Sequence, residues 1–114
     1  MEVHHHLGPG LMESVYDICL FTEMQSLGLS VERQKGLPVI YKGHLLSKDF
    51  IIDHLVENEI IVELKAVEGI LPVHEAQLVT YLKLSEKKLG LLINFNVSVL
   101  KEGIRRKING ILES

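Results

Sequence analysis

The stretch IIVELKAV, residues 60–67, carries two charged residues, Glu63 and Lys65, inside an otherwise apolar run. A short run rich in Ile and Val predicts a strand that is covered on both faces of a sheet. Strand alternation puts Glu63 and Lys65 on one face, with their Cα atoms roughly 6.5 Å apart. Burying an ionised group without a partner is costly. The stretch therefore predicts a buried strand that carries a polar site.

A second carboxylate comes from the preceding run, LLSKDFIIDHLV, residues 45–56. The polar segment 57–59 separates the two runs, which predicts a hairpin. If its loop is centred on Asn58, Asp53 lies opposite Glu63, because each is five residues from the centre, and opposed residues share a face. A two-residue loop without a bulge would turn Asp53 to the other face. The register therefore decides whether Asp53 joins the site.

Two neighbouring carboxylates repel each other unless a cation or a proton intervenes, and Lys65 offers charge compensation. Hard oxygen ligands favour Mg²⁺ or Mn²⁺, and an ion with few protein ligands keeps positions for water and a phosphate oxygen. Lys65 could lower the pKa of that water, orient it, or stabilise charge on phosphorus. The simpler alternative is a structural ion pair between Glu63 and Lys65.

The remaining hydrophobic pattern predicts five further elements around this hairpin. They are a helix over residues 11–27 that ends at Gly28, an outer strand over 29–41 with Pro38 at an edge or bulge, a helix over 71–86 with Pro72 in its first turn, a strand over 89–95, and a final amphipathic helix over 99–112. The run from His4 to His6 is interpreted as the end of a short helix. The order is helix, three strands, helix, strand, helix, which predicts an α/β fold with a mixed central sheet.

The composition is that of one globular domain, residues 1–114, with 46% hydrophobic residues. The 12 basic and 15 acidic residues give a net charge of −3, which argues against unselective binding to DNA or to an anionic membrane. No apolar run is long enough to cross a bilayer. The single cysteine, Cys19, cannot form an internal disulfide, so we expect a cytoplasmic protein. Seven basic residues lie between Lys83 and Lys107 and could line a phosphate path or form a solvated face.

The stretch GLMESVY, residues 10–16, resembles the motif that names the GxxExxY proteins. The stretches LGPG, IIVELKAV, LPVHEAQLVTYLKL and LGLLINFNV are similar to that family in the same order, over nearly the whole chain. The family resembles a branch of the PD-(D/E)XK phosphodiesterase superfamily, which implies a restriction-endonuclease-like core. Asp53, Glu63 and Lys65 match its signature D-x₉-E-x-K, with Ile52 where the name of the superfamily expects proline.

The same resemblance implies that Glu13 is a further acidic ligand of the metal, and that Gln77 and Tyr81 belong to a QxxxY motif. On a helix, His74 would share their face. Each has a simpler interpretation. Glu13 would be favourable at any helix N-terminus, Gln77 could be an ordinary polar surface residue, and Tyr16 and Tyr81 could pack with a tethered hydroxyl.

The expected function is therefore a Mg²⁺- or Mn²⁺-dependent nuclease acting on DNA, in which Asp53, Glu63 and Glu13 hold the metal, Lys65 acts on the attacking water, and Gln77 supports them. The alternative is a nuclease fold that only binds nucleic acid or a larger protein partner, with the acidic site kept for folding or weak ion binding. A homodimer that cuts branched or paired strands is a third possibility.

Overall fold

The structure, a computed structural model, describes residues 2–109, without the side chains of residues 41 and 46–49. Two helices are followed by three strands, a helix and two further strands. They are α1 (Glu2–Leu7), α2 (Glu13–Ser26), β1 (Val31–Tyr41), β2 (His44–Val56), β3 (Ile60–Lys65), α3 (Pro72–Ser85), β4 (Leu89–Asn94), a 3₁₀ helix (Leu100–Gly103) and β5 (Ile104–Ile108). None of the helices in this range is long and apolar enough to span a membrane.

The strands form one mixed sheet in the order β1-β2-β3-β4-β5. Among the five described strands only β3 and β4 are parallel, and α3 makes the crossover between them, as a parallel pair requires. The other neighbours are antiparallel. The predicted α/β fold, with a mixed sheet flanked by helices, is confirmed.

Helices cover both faces of the sheet, and β3 is buried from both sides. On one face Leu64 packs with Tyr16 of α2. On the other face Ile61 packs with Leu78 and Leu82 of α3. The predicted doubly covered strand is therefore confirmed, and it explains why β3 lacks a polar outer face.

The hairpin between β2 and β3 has the register that its sequence predicts. The pairs are His54 with Val62, Leu55 with Ile61, and Val56 with Ile60. Glu57 and Asn58 both have positive φ, 54° and 55°, as a type I′ turn requires, and Glu59 is the extra residue that centres the loop on Asn58. Continuing this register brings Asp53 level with Glu63.

The hairpin of β1 and β2 continues past the end of β3. The described pairs of β2 with β3 involve only residues 54–56, whereas its pairs with β1 extend back to His44. Since β3 runs antiparallel to β2, this two-stranded ribbon projects beyond the end of β3 that carries Lys65. Asp53 lies at its base.

The predicted final helix over residues 99–112 is wrong within the described range, where the chain forms the 3₁₀ helix and then β5. Ile104 and Ile108 are four residues apart, a spacing that puts them on one face of either a helix or a strand. The edge of β4 offers unpaired backbone groups, and β5 pairs with it from Ile104 to Ile108. Residues 110–112 of the predicted helix lie outside the described residues.

We predict that Gly103→Ala destabilises the protein by about 1–3 kcal/mol, the usual cost of overpacking. A Cβ atom on the buried Gly103 would overlap the backbone carbonyl oxygen of Asn94, which β4 holds in place. Urea denaturation measures the change. Gly69→Ala is the matched control, because its Cβ would meet no atom within 4 Å. Equal stabilities of the two variants would contradict the prediction.

Candidate active site

Asp53 and Glu63 exchange side-chain hydrogen bonds with each other's strands. The backbone N–H of Asp53 donates to Oε1 of Glu63 at 3.2 Å, and the N–H of Leu64 donates to Oδ2 of Asp53 at 2.7 Å. Carboxylate oxygens thus occupy acceptor positions that backbone carbonyls occupy in a regular ladder. The structure therefore brings the two predicted carboxylates together.

The ladder on the other side of Asp53 is also interrupted. Arg33 pairs with His54 and Lys35 with Ile52, but Gln34 has a φ of 51°, in the left-handed region, and forms no pair with Asp53. Ile52 and Leu55 pack in the same cluster under α3, although regular alternation would put them on opposite faces. Asp53 therefore lies at an irregular position of β2, where its carboxyl group is available to the neighbouring strand.

The carboxyl group of Glu63 is almost completely buried. Burial raises its pKa to about 9, the charge of Asp53 and a hydrogen bond between the two carboxyl groups add to the shift, and Lys65 opposes it. Glu63 consequently keeps a proton at neutral pH, which relieves the repulsion between the two carboxylates.

Glu13 is the first residue of α2 and lies at the exposed edge of this site. Partial burial is the main cause that raises its pKa, Lys65 opposes the shift, and Asp53 adds to it. Lys65, at the end of β3, thus acts electrostatically on both Glu13 and Glu63. Electrostatic interactions therefore link Glu13 with Asp53 and Lys65, and they link Glu63 with the same two residues.

Tyr16 explains how Glu13 reaches this position. Its ring is completely buried and stacks on Phe95 with the centroids 4.5 Å apart. Its hydroxyl donates to the carbonyl of Gly8 at 2.5 Å and accepts from the N–H of Leu11 at 3.1 Å. Gly10 has a φ of 94°, which favours glycine, so the loop can fold back over the ring. The interpretation of Tyr16 as a packing residue with a tethered hydroxyl is confirmed.

Of the three residues predicted to face the cleft from α3, the structure brings Tyr81 to the site. Tyr81 is buried, its ring lies 5.4 Å from Phe50, and its pKa is raised by burial first and then by Glu63 and Asp53. His74 instead caps α3, because its Nδ1 accepts from the N–H of Leu71 at 3.0 Å. Gln77 is exposed, one turn before Tyr81, and its supporting role stays a prediction.

A charged cluster that the sequence interpretation missed lies on the opposite face, under α2. Asp17 is buried and contacts both Arg33 and His54, and His54 is completely buried. Burial is the main cause that lowers the pKa of His54, and the charge of Asp17 opposes it. Two signals were available, because Asp17 is one helical turn after Glu13 and His54 directly follows Asp53.

The donor set suits a hard divalent ion in part. Asp53 and Glu63 offer two adjacent carboxyl groups, whose mutual repulsion a cation would neutralise. Among the described side chains, however, no three His, Cys, Asp or Glu residues lie close enough together to hold one ion. Glu13 is therefore near the pair but does not complete a preformed three-carboxylate site.

We predict that Tyr16→Phe destabilises the protein by about 1–3 kcal/mol, since the N–H of Leu11 and the carbonyl of Gly8 both lose their partner. Thermal unfolding measures the loss of stability, and amide hydrogen exchange should show faster exchange at Leu11. Tyr81→Phe is the control for loss of a phenol near the site. An unchanged melting temperature for Tyr16→Phe would contradict the assigned hydrogen bonds.

We predict that Glu63→Gln stabilises the metal-free protein by about 3 kcal/mol at pH 7. The folded chain keeps Glu63 protonated up to about pH 9, whereas the unfolded chain ionises it near pH 4.5. The native protein therefore loses stability as pH rises between these values, and an uncharged Gln does not. Urea denaturation in chelator at pH 5 and pH 8 tests this, and a stability difference that does not grow with pH would contradict it.

Comparison with known proteins identifies the family to which this chain belongs. A profile of the PD-(D/E)XK nuclease superfamily matches residues 1–107, and no curated protein matches significantly. A solved structure titled "Crystal structure of SSO0001" is similar, with a TM-score of 0.57 and 19% identity, over 89% of this chain and 52% of that chain. This likeness shows the fold, and the present chain spans about half of that protein's length. Because the profile covers almost the entire sequence, the chain belongs to the PD-(D/E)XK nuclease superfamily.

Proposed function

We propose that the protein is a metal-dependent nuclease of the GxxExxY branch, and that it hydrolyses phosphodiester bonds in DNA. The observation that carries this proposal is the convergence of Asp53 and Glu63 at an interrupted ladder, with Lys65 two residues farther along β3. An irregularity that includes a buried carboxyl group has a cost in stability, and such costs are typical of functional sites.

Asp53 and Glu63 are the residues that would hold Mg²⁺ or Mn²⁺, with Glu13 supporting them from the edge of the site. When bound, the ion supplies Lewis acidity and neutralises charge at the phosphate. Glu63 would release its proton in order to hold the ion, since the positive charge would compensate the two carboxylates as the proton does in the free chain. The backbone N–H groups that donate to both side chains keep the carboxyl groups oriented.

Lys65 is the residue that we expect to act on the attacking water and on the charge that develops at phosphorus. It forms no salt bridge with any side chain that the structure describes, so none of the described carboxylates fixes its ammonium group away from a substrate. The backbone carbonyl of Lys65 accepts from the N–H of Phe95 at 2.9 Å, which holds the end of β3 against β4. The strand is thus rigid where the side chain must be placed accurately.

The ribbon of β1 and β2 supports a nucleic acid as the substrate. It projects past the end of β3 that carries the site, and a two-stranded ribbon is narrow enough to enter the major groove of a duplex. Its turn presents Lys42 and His44 as exposed residues. Lys87 and Lys88, by contrast, line a cavity beside Asn58, at the opposite end of β3. The basic residues of that end do not line the proposed cleft.

A cytoplasmic location and assembly as a homodimer, or with a larger protein partner, are further parts of this proposal. The thiol of Cys19 is free, which suits a reducing compartment. Sedimentation of the purified chain would measure its oligomeric state.

We predict that the native chain cleaves DNA in the presence of Mg²⁺ or Mn²⁺ and that chelator abolishes cleavage. Asp53→Ala and Lys65→Ala should each reduce the rate by about 100-fold or more. The first removes a ligand of the metal ion, and the second removes the ammonium group beside the reacting phosphate. A cleavage assay on single-stranded, duplex and branched DNA, with RNA in parallel, measures the rates. Lys87→Ala is the matched control, since it removes a lysine at the far end of β3. Equal cleavage by all the variants would refute the assignment.

A further inference from the structure

A buried charged cluster joins α2 to β1 and β2 directly behind the proposed site. Oδ1 and Oδ2 of Asp17 accept from Nε and Nη2 of Arg33 at 3.3 and 3.2 Å, in a bidentate arrangement. Nε2 of His54 lies 2.7 Å from Oδ1 of Asp17. Neither ring nitrogen of His54 makes a hydrogen bond of good geometry within the described residues, although Asp17 lies in close contact with the imidazole.

Phe21 closes the cluster from the next turn of α2. Its ring is nearly parallel to the ring of His54, with the centroids 6.3 Å apart and the planes 10° apart. The guanidinium carbon of Arg33 lies 5.8 Å from the centroid of Phe21, within the range of a cation–π interaction. Asp17 and Phe21 thus contact the same two residues of the sheet. We call these four residues the α2 clamp: Asp17, Phe21, Arg33 and His54.

The clamp lies one step away from the proposed site along each of its three elements. On α2, Asp17 follows Glu13 by one turn on the same face. On β1 and β2, Arg33 and His54 are cross-strand partners, and the next residues along the two strands, Gln34 and Asp53, are unpaired where the ladder breaks. Movement of α2 against the clamp would therefore change the distance between Glu13 and Asp53.

Stability alone is a poor reason for this arrangement. Replacing a buried group of charges with apolar residues of similar volume is often neutral or stabilising, whereas a bidentate carboxylate and guanidinium fix one geometry. The rest of this face is packed by apolar residues and Tyr16. A charged clamp gives α2 a defined register on the sheet, which apolar packing specifies less strictly.

We propose that Asp17, Arg33 and His54 are positioning residues that hold Glu13 beside Asp53, so that Glu13 contributes to divalent-ion binding. The inference rests on the proposed function and goes beyond it, because it assigns a role to residues that contact neither the ion nor the substrate. Asp17 acts through Glu13, so the effects of changing the two residues are coupled.

A double-mutant cycle on the full chain tests the coupling, with Mn²⁺ as the probe and calorimetric titration as the measurement. We expect Asp17→Asn to weaken Mn²⁺ binding by about 10-fold, as is usual for a residue that orients a ligand. Glu13→Gln should weaken binding at least as much, because it removes the group that Asp17 positions. The double variant should bind Mn²⁺ within about twofold of Glu13→Gln alone, because Asp17 has no further effect once Glu13 is lost. Arg33→Gln is combined with Glu13→Gln in the same way, and its Mn²⁺ affinities test the coupling if Asp17→Asn does not fold.

Glu75→Gln is the control for losing an ion pair between a helix and a strand, since Glu75 pairs with Lys107 at 2.8 Å across α3 and β5. It should leave Mn²⁺ binding unchanged. Losses that multiply in the double variant, or an equal loss in Glu75→Gln, would overturn the clamp while leaving the metal site in place. A native chain that binds no Mn²⁺ would overturn the proposed nuclease centre and the clamp's role in it together.

Discussion

The exchange of hydrogen bonds between Asp53 and Glu63 is the constraint on which both the sheet and the site depend. In a regular ladder the N–H groups of Asp53 and Leu64 would donate to backbone carbonyls, and the carboxyl groups would need other partners. Here the carboxyl groups are those acceptors, so removing either side chain also leaves a partly buried donor without its partner. The chemistry of the site is thus part of the hydrogen bonding that joins β2 to β3.

This arrangement lowers the stability of the metal-free protein but favours its proposed activity. A carboxyl group as deeply buried as Glu63 stays protonated, and Lys65 offsets only part of the cost of ionising it. A bound cation would supply the missing compensation. The same burial that is unfavourable in the free chain would strengthen the electrostatic interactions of a loaded site, since both effects come from the low local dielectric. The irregular part of β2, with Gln34 in the left-handed region beside it, also lowers stability while it places the side chains of the site.

The sequence predicted the central hairpin because its register depends on a short, local feature. Once three polar residues separate two apolar runs, the loop centre fixes which residues oppose each other, and the core face fixes the rest. The last element was wrong for the opposite reason. Its apolar residues, Ile104 and Ile108, fit both periods, so the free edge of β4 decided the outcome. That edge is a property of the whole sheet and has no signal within residues 99–112.

The residues of α2 show why the clamp was not predicted. Ile18 is apolar and fits the helical spacing of the predicted helix, but it is 44% exposed in the structure, whereas its neighbour Asp17 is 8% exposed. The spacing of apolar residues predicts the buried face of a helix only if that face contacts an apolar core. The face of α2 that contacts the sheet carries Asp17 and Phe21, with Glu13 one turn earlier at its exposed end, because this face meets polar residues of the sheet, Arg33 and His54. Polar residues at helical spacing beside a strand with internal charges are therefore the sequence signal for a buried polar interface, and here that interface adjoins the proposed site.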